Sequence, residues 1–122
     1  MADRADQVCV LDWHIHPFRA DRWYEIWLPA AQRALAFGAE SWTITRSIED
    51  PLAFRQTSVW RDRADFERYW ASDEVETIRR DALKYFNKPT LPTWHTLVAS
   101  DTAGEAAGAA EEVMAGDASN GG

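Results

Sequence analysis

Residues 54–70 read FRQTSVWRDRADFERYW, and the prediction of the fold starts from this segment. Its first seven residues are rich in β-branched and aromatic side chains, which predicts a strand. Asp62 is suited to cap a helix, and Phe66, Tyr69 and Trp70 follow it at the spacing of an apolar helix face. The stretch therefore predicts a strand that passes through a short turn into an amphipathic helix.

Two spacings of apolar residues, alternation in strands and the spacing of a helix face, predict the other elements of the folded domain. Alternation and helical spacing together give strands at residues 8–16, 41–47, 54–60 and 92–99, and helices at residues 21–37 and 62–86. Pro29 is expected to kink or restart the first helix, and Ser72 to mark a break in the second. The order strand, helix, strand, strand, helix, strand is the split βαβ pattern of ferredoxin-like α+β folds. We expect a four-stranded antiparallel sheet with two helices on one face.

The first strand indicates what covers each side of that sheet. Cys9, Leu11, Trp13 and Ile15 alternate with polar residues, so we expect these four to pack against the helices. The opposite side is predicted to carry bulky residues that also need a cover. A second copy of the chain is the simplest cover, so the sequence predicts a homodimer whose sheets pack face to face and form an α/β barrel.

Composition narrows the classes of function. The chain has 122 residues, enough for one domain, and its single cysteine excludes an internal disulfide framework. The basic residues are interleaved with acidic ones and form no stripe, so we expect no nucleic acid as a partner. No apolar run is long enough to cross a membrane, and the first residues lack the apolar core of a secretory signal. We therefore expect a cytoplasmic protein that does not bind membranes.

The last part of the chain differs in composition from the rest. All 13 lysines and arginines lie in residues 1–100, which we assign to the folded domain. Residues 101–122 are mainly alanine, glycine and acidic residues, a composition that cannot bury enough apolar surface to offset its ordering entropy. We predict a disordered tail that acts as a solubilising extension, with docking to another protein as the alternative.

With this order of elements, the strand ending in Trp60 and the helix containing Phe66 and Trp70 resemble the dimeric α/β-barrel superfamily. The likeness is strongest to its antibiotic biosynthesis monooxygenase-like branch. The resemblance implies cofactor-free oxygenases acting on aromatic compounds, heme-degrading monooxygenases or cyclases. Heme-degrading members hold the iron through a histidine of the second helix, whereas residues 77–81 here read TIRRD. No cofactor is therefore expected.

The first strand also carries the candidate catalytic group. Asp12, His14 and His16 alternate on one face, where Asp12 can orient His14 as a general base. His95, on the last strand, is a candidate to steady the resulting anion. The alternatives are structural hydrogen bonds, or a metal ion held by the three histidines, and we expect no metal because a pair of histidines alone is a weak signal.

Five further residues are candidates to bind substrate: His16, Arg46, Gln56, Trp60 and Tyr69. An arginine on a barrel wall can hold a carboxylate or an enolate. For the arginines of the middle strands, Arg46 and Arg55, we favour an ion pair with Asp12 or Glu49 over anion binding. Most tryptophans are expected in the core or the dimer interface.

Two functions remain open. The first is an enzyme that binds a small apolar or aromatic molecule and performs monooxygenase-like or cyclase-like chemistry without a cofactor. The second is a non-catalytic dimer that binds a ligand or a protein. A cavity of a few hundred Å³ touching His14 favours the enzyme, and its absence favours the second function.

Overall fold

The computed structural model describes residues 6–104, and these form a four-stranded antiparallel sheet covered by helices on one face. The strands are β1 (Gln7–His14), β2 (Ala39–Arg46), β3 (Ala53–Trp60) and β4 (Thr93–Thr96). The helices are α1 (Ala20–Gln32), α2 (Arg63–Ala71) and α3 (Asp73–Ala82), with 3₁₀ turns at Ala34–Phe37 and Leu83–Tyr85. The sheet order is β2-β3-β1-β4, which confirms the predicted ferredoxin-like topology.

The alternation of β1 sorts its side chains as predicted. Cys9, Leu11, Trp13 and Ile15 are buried in the core beneath the helices. Asp12, between them in sequence, is exposed on the other face. β1 ends at His14 rather than at residue 16, and pairing continues only as an isolated bridge from Ile15 to Phe86.

The first predicted helix divides later than expected. α1 continues through Pro29, so the predicted restart at this residue is wrong. The regular helix ends at Gln32, and the chain tightens into the 3₁₀ turn that Gly38 terminates with a φ of 117°. A left-handed residue at this point is a common way to end a helical segment, and glycine adopts it without steric cost.

The second predicted helix is divided where Ser72 indicated a break. Asp62 caps α2 by accepting a hydrogen bond from the backbone N–H of Ala64. Ser72 ends α2 in an extended conformation and caps α3, with its side chain accepting from the N–H of Val75. The two caps set the lengths of the two helices, because each satisfies backbone donors that a helix start leaves free.

The hairpin of β2 and β3 places alternate residues of both strands on the helix side. In the register, Trp42 pairs with Ser58, Ile44 with Gln56, and Arg46 with Phe54. β4 is shorter than the predicted residues 92–99 and pairs with β1, with His95 opposite Val8.

The face of the sheet away from the helices differs from the prediction. The strand aromatics Trp13, Phe54 and Trp60 are buried on the helix side, so the bulky residues expected on the open face are not there. The open face instead carries half-buried β-branched residues at its centre: Val8, Val10, Thr57 and Val59. Such a face is only partly apolar.

The ends of the chain lie outside the described residues. The predicted tail begins at Asp101, and residues 105–122 are among those that the structure does not describe. The division into a domain at residues 1–100 and a tail at residues 101–122 therefore stays a prediction. Within residues 6–104, no helix has both the length and the apolar character needed to span a membrane.

Candidate functional site

A cleft of about 320 Å³ opens between β1, α3 and the segment that leads to β4. Aromatic and apolar side chains form most of its wall, and charged residues of α3 complete it. The lining residues are Trp13, Trp27, Trp70, Glu76, Arg79, Arg80, Ala82, Leu83, Phe86, Pro89, Thr90 and Leu91. Its volume is at the lower end of the range of roughly 300–1,000 Å³ for small-molecule sites.

Three tryptophans from different elements form the aromatic wall. The ring centroids of Trp13 and Trp27 are 5.0 Å apart, and those of Trp27 and Trp70 are 5.9 Å apart. Trp27 is fixed further because its Nε1 donates to Oε1 of Gln56 at 2.7 Å. Trp13 and Trp27 are almost fully buried in the core, and Trp70 packs against Trp27 at the edge of the cleft.

Arg79 lies on this wall and is held by Trp70. Its guanidinium carbon is 4.2 Å from the centre of the Trp70 ring, and its Nη1 donates to the Trp70 carbonyl oxygen at 3.2 Å. Burial lowers the pKa of Arg79, and the nearby Glu76 opposes this shift. Glu76 itself lies 3.8 Å from Arg80, one turn further along α3. The cleft thus combines aromatic surface with a partly desolvated positive charge.

The predicted pairing of Asp12 with His14 is wrong. Asp12 accepts hydrogen bonds from Nε and Nη2 of Arg55, its cross-strand neighbour, at 2.8 and 3.2 Å. Nε2 of His14 instead lies 2.8 Å from Oδ2 of Asp50, in the turn between β2 and β3. The pKa of Asp50 is lowered, first by the backbone N–H of Leu52 and then by His14. Both His14 and Asp12 are exposed on the open face, and His14 does not line the cleft.

The other two histidines lie apart from this pair. His95 faces Val8 on β1, six residues from His14, which corresponds to about 20 Å along a strand. His16 follows the end of β1 and is held through its backbone N–H, which donates to the Tyr85 carbonyl oxygen at 2.8 Å. The three histidines are therefore not brought together.

Gln56, Trp60 and Tyr69 are fully buried and do not line the cleft. Nε1 of Trp60 donates to Oγ of Ser58 at 2.7 Å, and the Tyr69 hydroxyl donates to the Ala30 carbonyl oxygen at 2.7 Å. Burial raises the pKa of Tyr69 to about 12, so it stays protonated at neutral pH. The structure gives these three residues packing and hydrogen-bonding roles in the core.

Arg46 lines two smaller clefts near the β2–β3 turn, which have volumes of about 230 and 270 Å³. Its Nε donates to the Pro51 carbonyl oxygen at 2.6 Å, and its Nη1 lies 3.9 Å from Oδ1 of Asp21. Arg46 therefore does not form the predicted ion pair with Asp12 or Glu49, whereas Arg55 forms it with Asp12. Asp12 and Arg46 do share the wall of the larger of these two clefts.

The residues that line the cleft between β1 and α3 do not supply the side chains that would bind the iron of a prosthetic group. Among the described residues that line it, none is a histidine, cysteine or tyrosine. No group of three or more histidine, cysteine, aspartate or glutamate side chains within residues 6–104 is placed to hold a metal ion.

Sequence reasoning missed Arg79 and the segment of Phe86 and Leu91. A signal for Arg79 was present, because it lies four residues after Val75 and three before Ala82, both buried. A charged residue within such a stripe is directed toward the protein rather than toward solvent. No comparable signal marked residues 86–91, whose position depends on the bridge from Phe86 to Ile15.

Comparisons with known proteins identify the fold. No protein-family model matches the chain, and no curated protein is similar to it in sequence. A solved protein from Nitrosomonas europaea, provisionally named an antibiotic biosynthesis monooxygenase, has a TM-score of 0.74 at 13% identity. That match covers 84% of this chain and 99% of the other.

Two further solved structures agree. One from Caulobacter crescentus CB15, with the same provisional name, has a TM-score of 0.70 at 12% identity and covers 79% of this chain and 92% of its own. A conserved protein from Methanosarcina mazei Go1 has a TM-score of 0.69 at 14% identity, with coverages of 75% and 92%. The chain therefore has the ferredoxin-like fold of antibiotic biosynthesis monooxygenase-like proteins, as the resemblance implied.

Proposed function

We propose that this chain binds a small, flat, aromatic molecule in the cleft between β1 and α3. The observation that carries the proposal is the wall of Trp13, Trp27 and Trp70 around a cleft of about 320 Å³. A ligand ring gains burial against this wall, chiefly against the half-buried Trp70. The volume favours a compound of one or two rings.

The functional unit that we propose is a homodimer. The open face of the sheet has Val8, Val10 and Val59 at its centre, and none of the described helices covers it. A second copy can cover this face by a twofold axis, which pairs the same surface on both subunits. The cleft lies on the opposite side, so each subunit keeps its own binding site.

Catalysis is the second candidate function, and the names of the structural neighbours favour it. Cofactor-independent monooxygenase-like or cyclase-like chemistry on the bound molecule fits a cleft whose wall is mainly apolar. His14 cannot act on a ligand in the cleft of its own subunit, since it lies on the other face of the sheet. Asp12 and His95 are exposed on that same face and are outside the cleft as well. A cleft that does not touch His14 favours the alternative, a non-catalytic ligand-binding dimer.

The binding proposal is tested by tryptophan fluorescence with 2-naphthamide, a neutral two-ring probe. We expect saturable quenching in the wild-type protein and its loss in Trp70→Ala, which removes one side of the cleft. Trp42→Ala is the matched control, because Trp42 is also half-buried but lies on β2, outside the cleft.

Thermal melting of both variants shows whether each is folded. Equal affinity of the folded Trp70→Ala variant and the wild-type protein would place the probe elsewhere. Absence of saturable binding to the wild-type protein both of 2-naphthamide and of the carboxylate with the same rings would contradict the proposed function itself.

A further inference from the structure

We infer that the cleft selects an aromatic carboxylate over the neutral compound of the same shape, and that Arg79 makes this selection. The inference rests on the proposed function, because it names the chemical class of the molecule bound there. It assigns the charged end of the ligand to the Arg79 guanidinium and its ring to the tryptophan wall.

The hydrogen-bonding capacity of Arg79 is the first argument. A guanidinium has five N–H donors, and among residues 6–104 the structure shows one hydrogen bond from it, between Nη1 and the Trp70 carbonyl oxygen. The donors on Nε and Nη2 lie on one edge and are unused by the described residues. A carboxylate fits such an edge with two parallel hydrogen bonds.

The absence of a close carboxylate within the described chain is the second argument. Seven other arginines there lie within 4.0 Å of an acidic side chain: Arg22, Arg33, Arg46, Arg55, Arg61, Arg68 and Arg80. Arg79 is partly buried, and none of the described acidic groups is that close to it. A partly desolvated cation with no carboxylate within 4.0 Å gains from an anion that enters the cleft.

The charge of the lining is the third argument. Its charged residues are Glu76, Arg79 and Arg80, which together leave one net positive charge. Glu76 lies 3.8 Å from Arg80 and farther from Arg79, which it attracts without forming a close ion pair. The stack of Arg79 on Trp70 then keeps the guanidinium beside the aromatic wall, where a ring and its carboxylate can be bound together.

The experiment compares 2-naphthoate with 2-naphthamide, which share one ring system and differ in charge. We expect the wild-type protein to bind the carboxylate about tenfold or more tightly, as for a charge-assisted hydrogen-bonded pair. Arg79→Gln should abolish this preference while its affinity for the amide stays within about threefold of the wild-type value. Arg79→Lys, which keeps the charge but not the two-donor edge, should retain only part of the preference.

Arg22→Gln is the matched control, since it removes one positive charge from an exposed arginine of α1 that lies outside the cleft. We expect it to keep the preference for the carboxylate within about threefold, because its ion pair with Glu25 is exposed to solvent. An equal affinity of the wild-type protein for both probes would overturn the inference and leave the proposed function standing. Loss of the preference in Arg22→Gln as large as in Arg79→Gln would also overturn it. Failure of both probes to bind would instead overturn the proposed function.

Discussion

Gly38 shows how one residue fixes the approach of two elements. It ends the 3₁₀ turn after α1 with a φ of 117°, a conformation that L side chains rarely adopt. A Cβ atom at this position would lie 2.7 Å from Oδ2 of Asp65, in the first turn of α2. Asp65 is itself held by Arg68, so it has little freedom to move away. Glycine here therefore allows the chain to enter β2 close against α2.

Substitution of Gly38 by alanine is expected to lower the free energy of unfolding by about 1–3 kcal/mol, from backbone strain and the contact with Asp65. Urea unfolding measures the change. Gly104→Ala is the control, because nothing lies within 4 Å of its added Cβ, and it should leave the midpoint unchanged. Equal midpoints for Gly38→Ala and the wild-type protein would show that the turn relaxes without cost.

The junction of α2 and α3 determines how the cleft is built. Ser72 donates from Oγ to the Tyr69 carbonyl oxygen at 2.8 Å and accepts from the N–H of Val75 at 3.4 Å. The same side chain thus ends one helix and begins the next. This break places Arg79 of α3 over Trp70 of α2. In a single continuous helix, nine positions would separate the two residues along the helix axis and keep them from contact. The capping residue is consequently part of the framework of the site.

Removal of this cap in Ser72→Ala should cost about 1 kcal/mol of stability. It should also weaken binding of 2-naphthoate, because α3 carries Arg79. Thr77→Ala is the matched control within α3: it removes an exposed hydroxyl that caps nothing, and alanine favours the helix. Melting temperature and fluorescence titration measure the two effects. A Ser72→Ala protein as stable as Thr77→Ala would contradict the role of the cap.

The two faces of the sheet differ, and the proposed function assigns ligand binding to one face and dimerisation to the other. The helix-covered face contains the aromatic core and the cleft, whereas the open face carries β-branched residues and the Asp12–Arg55 ion pair. An uncovered sheet face of this kind is typical of a surface that another protein layer covers. Binding and self-association are therefore separable by mutation.

A charge at the centre of the open face should dissociate the proposed dimer. Val10 lies opposite Thr57 there, and Val10→Glu places a carboxylate where the two sheets would meet. Light scattering should give about twice the monomer mass for the wild-type protein and the monomer mass for the variant. Val98→Glu adds the same charge at a residue that is 91% exposed and should remain dimeric. A wild-type monomer at micromolar concentration would contradict the dimer.

Local patterns predicted the elements better than they predicted the site. The alternation in β1 and the helical stripe of Phe66, Tyr69 and Trp70 depend on short-range periods, and both were confirmed. The partners of Asp12 and His14 depend on the cross-strand register, which brings Arg55 and the turn residue Asp50 beside them from more than 30 positions away. No local pattern contains that register, so the catalytic pairing was wrong.

Most of the seven tryptophans were expected in the core or the dimer interface, and four of them are buried in the core: Trp13, Trp23, Trp27 and Trp60. Three tryptophans line the cleft: Trp13, Trp27 and Trp70. The position of Trp13 and Trp27 in both the core and the cleft wall depends on a gap beside α3, which the packing of residues 86–91 defines. The partial burial of Arg79 was not predicted for a related reason. A charged residue on a helix is usually solvated, and the burial of Arg79 depends on the neighbouring helix.

The position of Cys9 has a practical consequence for work on this protein. It is the single cysteine of the chain and is fully buried on the helix side of β1. Burial raises the pKa of its thiol to about 12, so almost none is the reactive thiolate at neutral pH. An additional cysteine introduced on the surface can therefore carry a fluorophore or spin label selectively, without first replacing the native one.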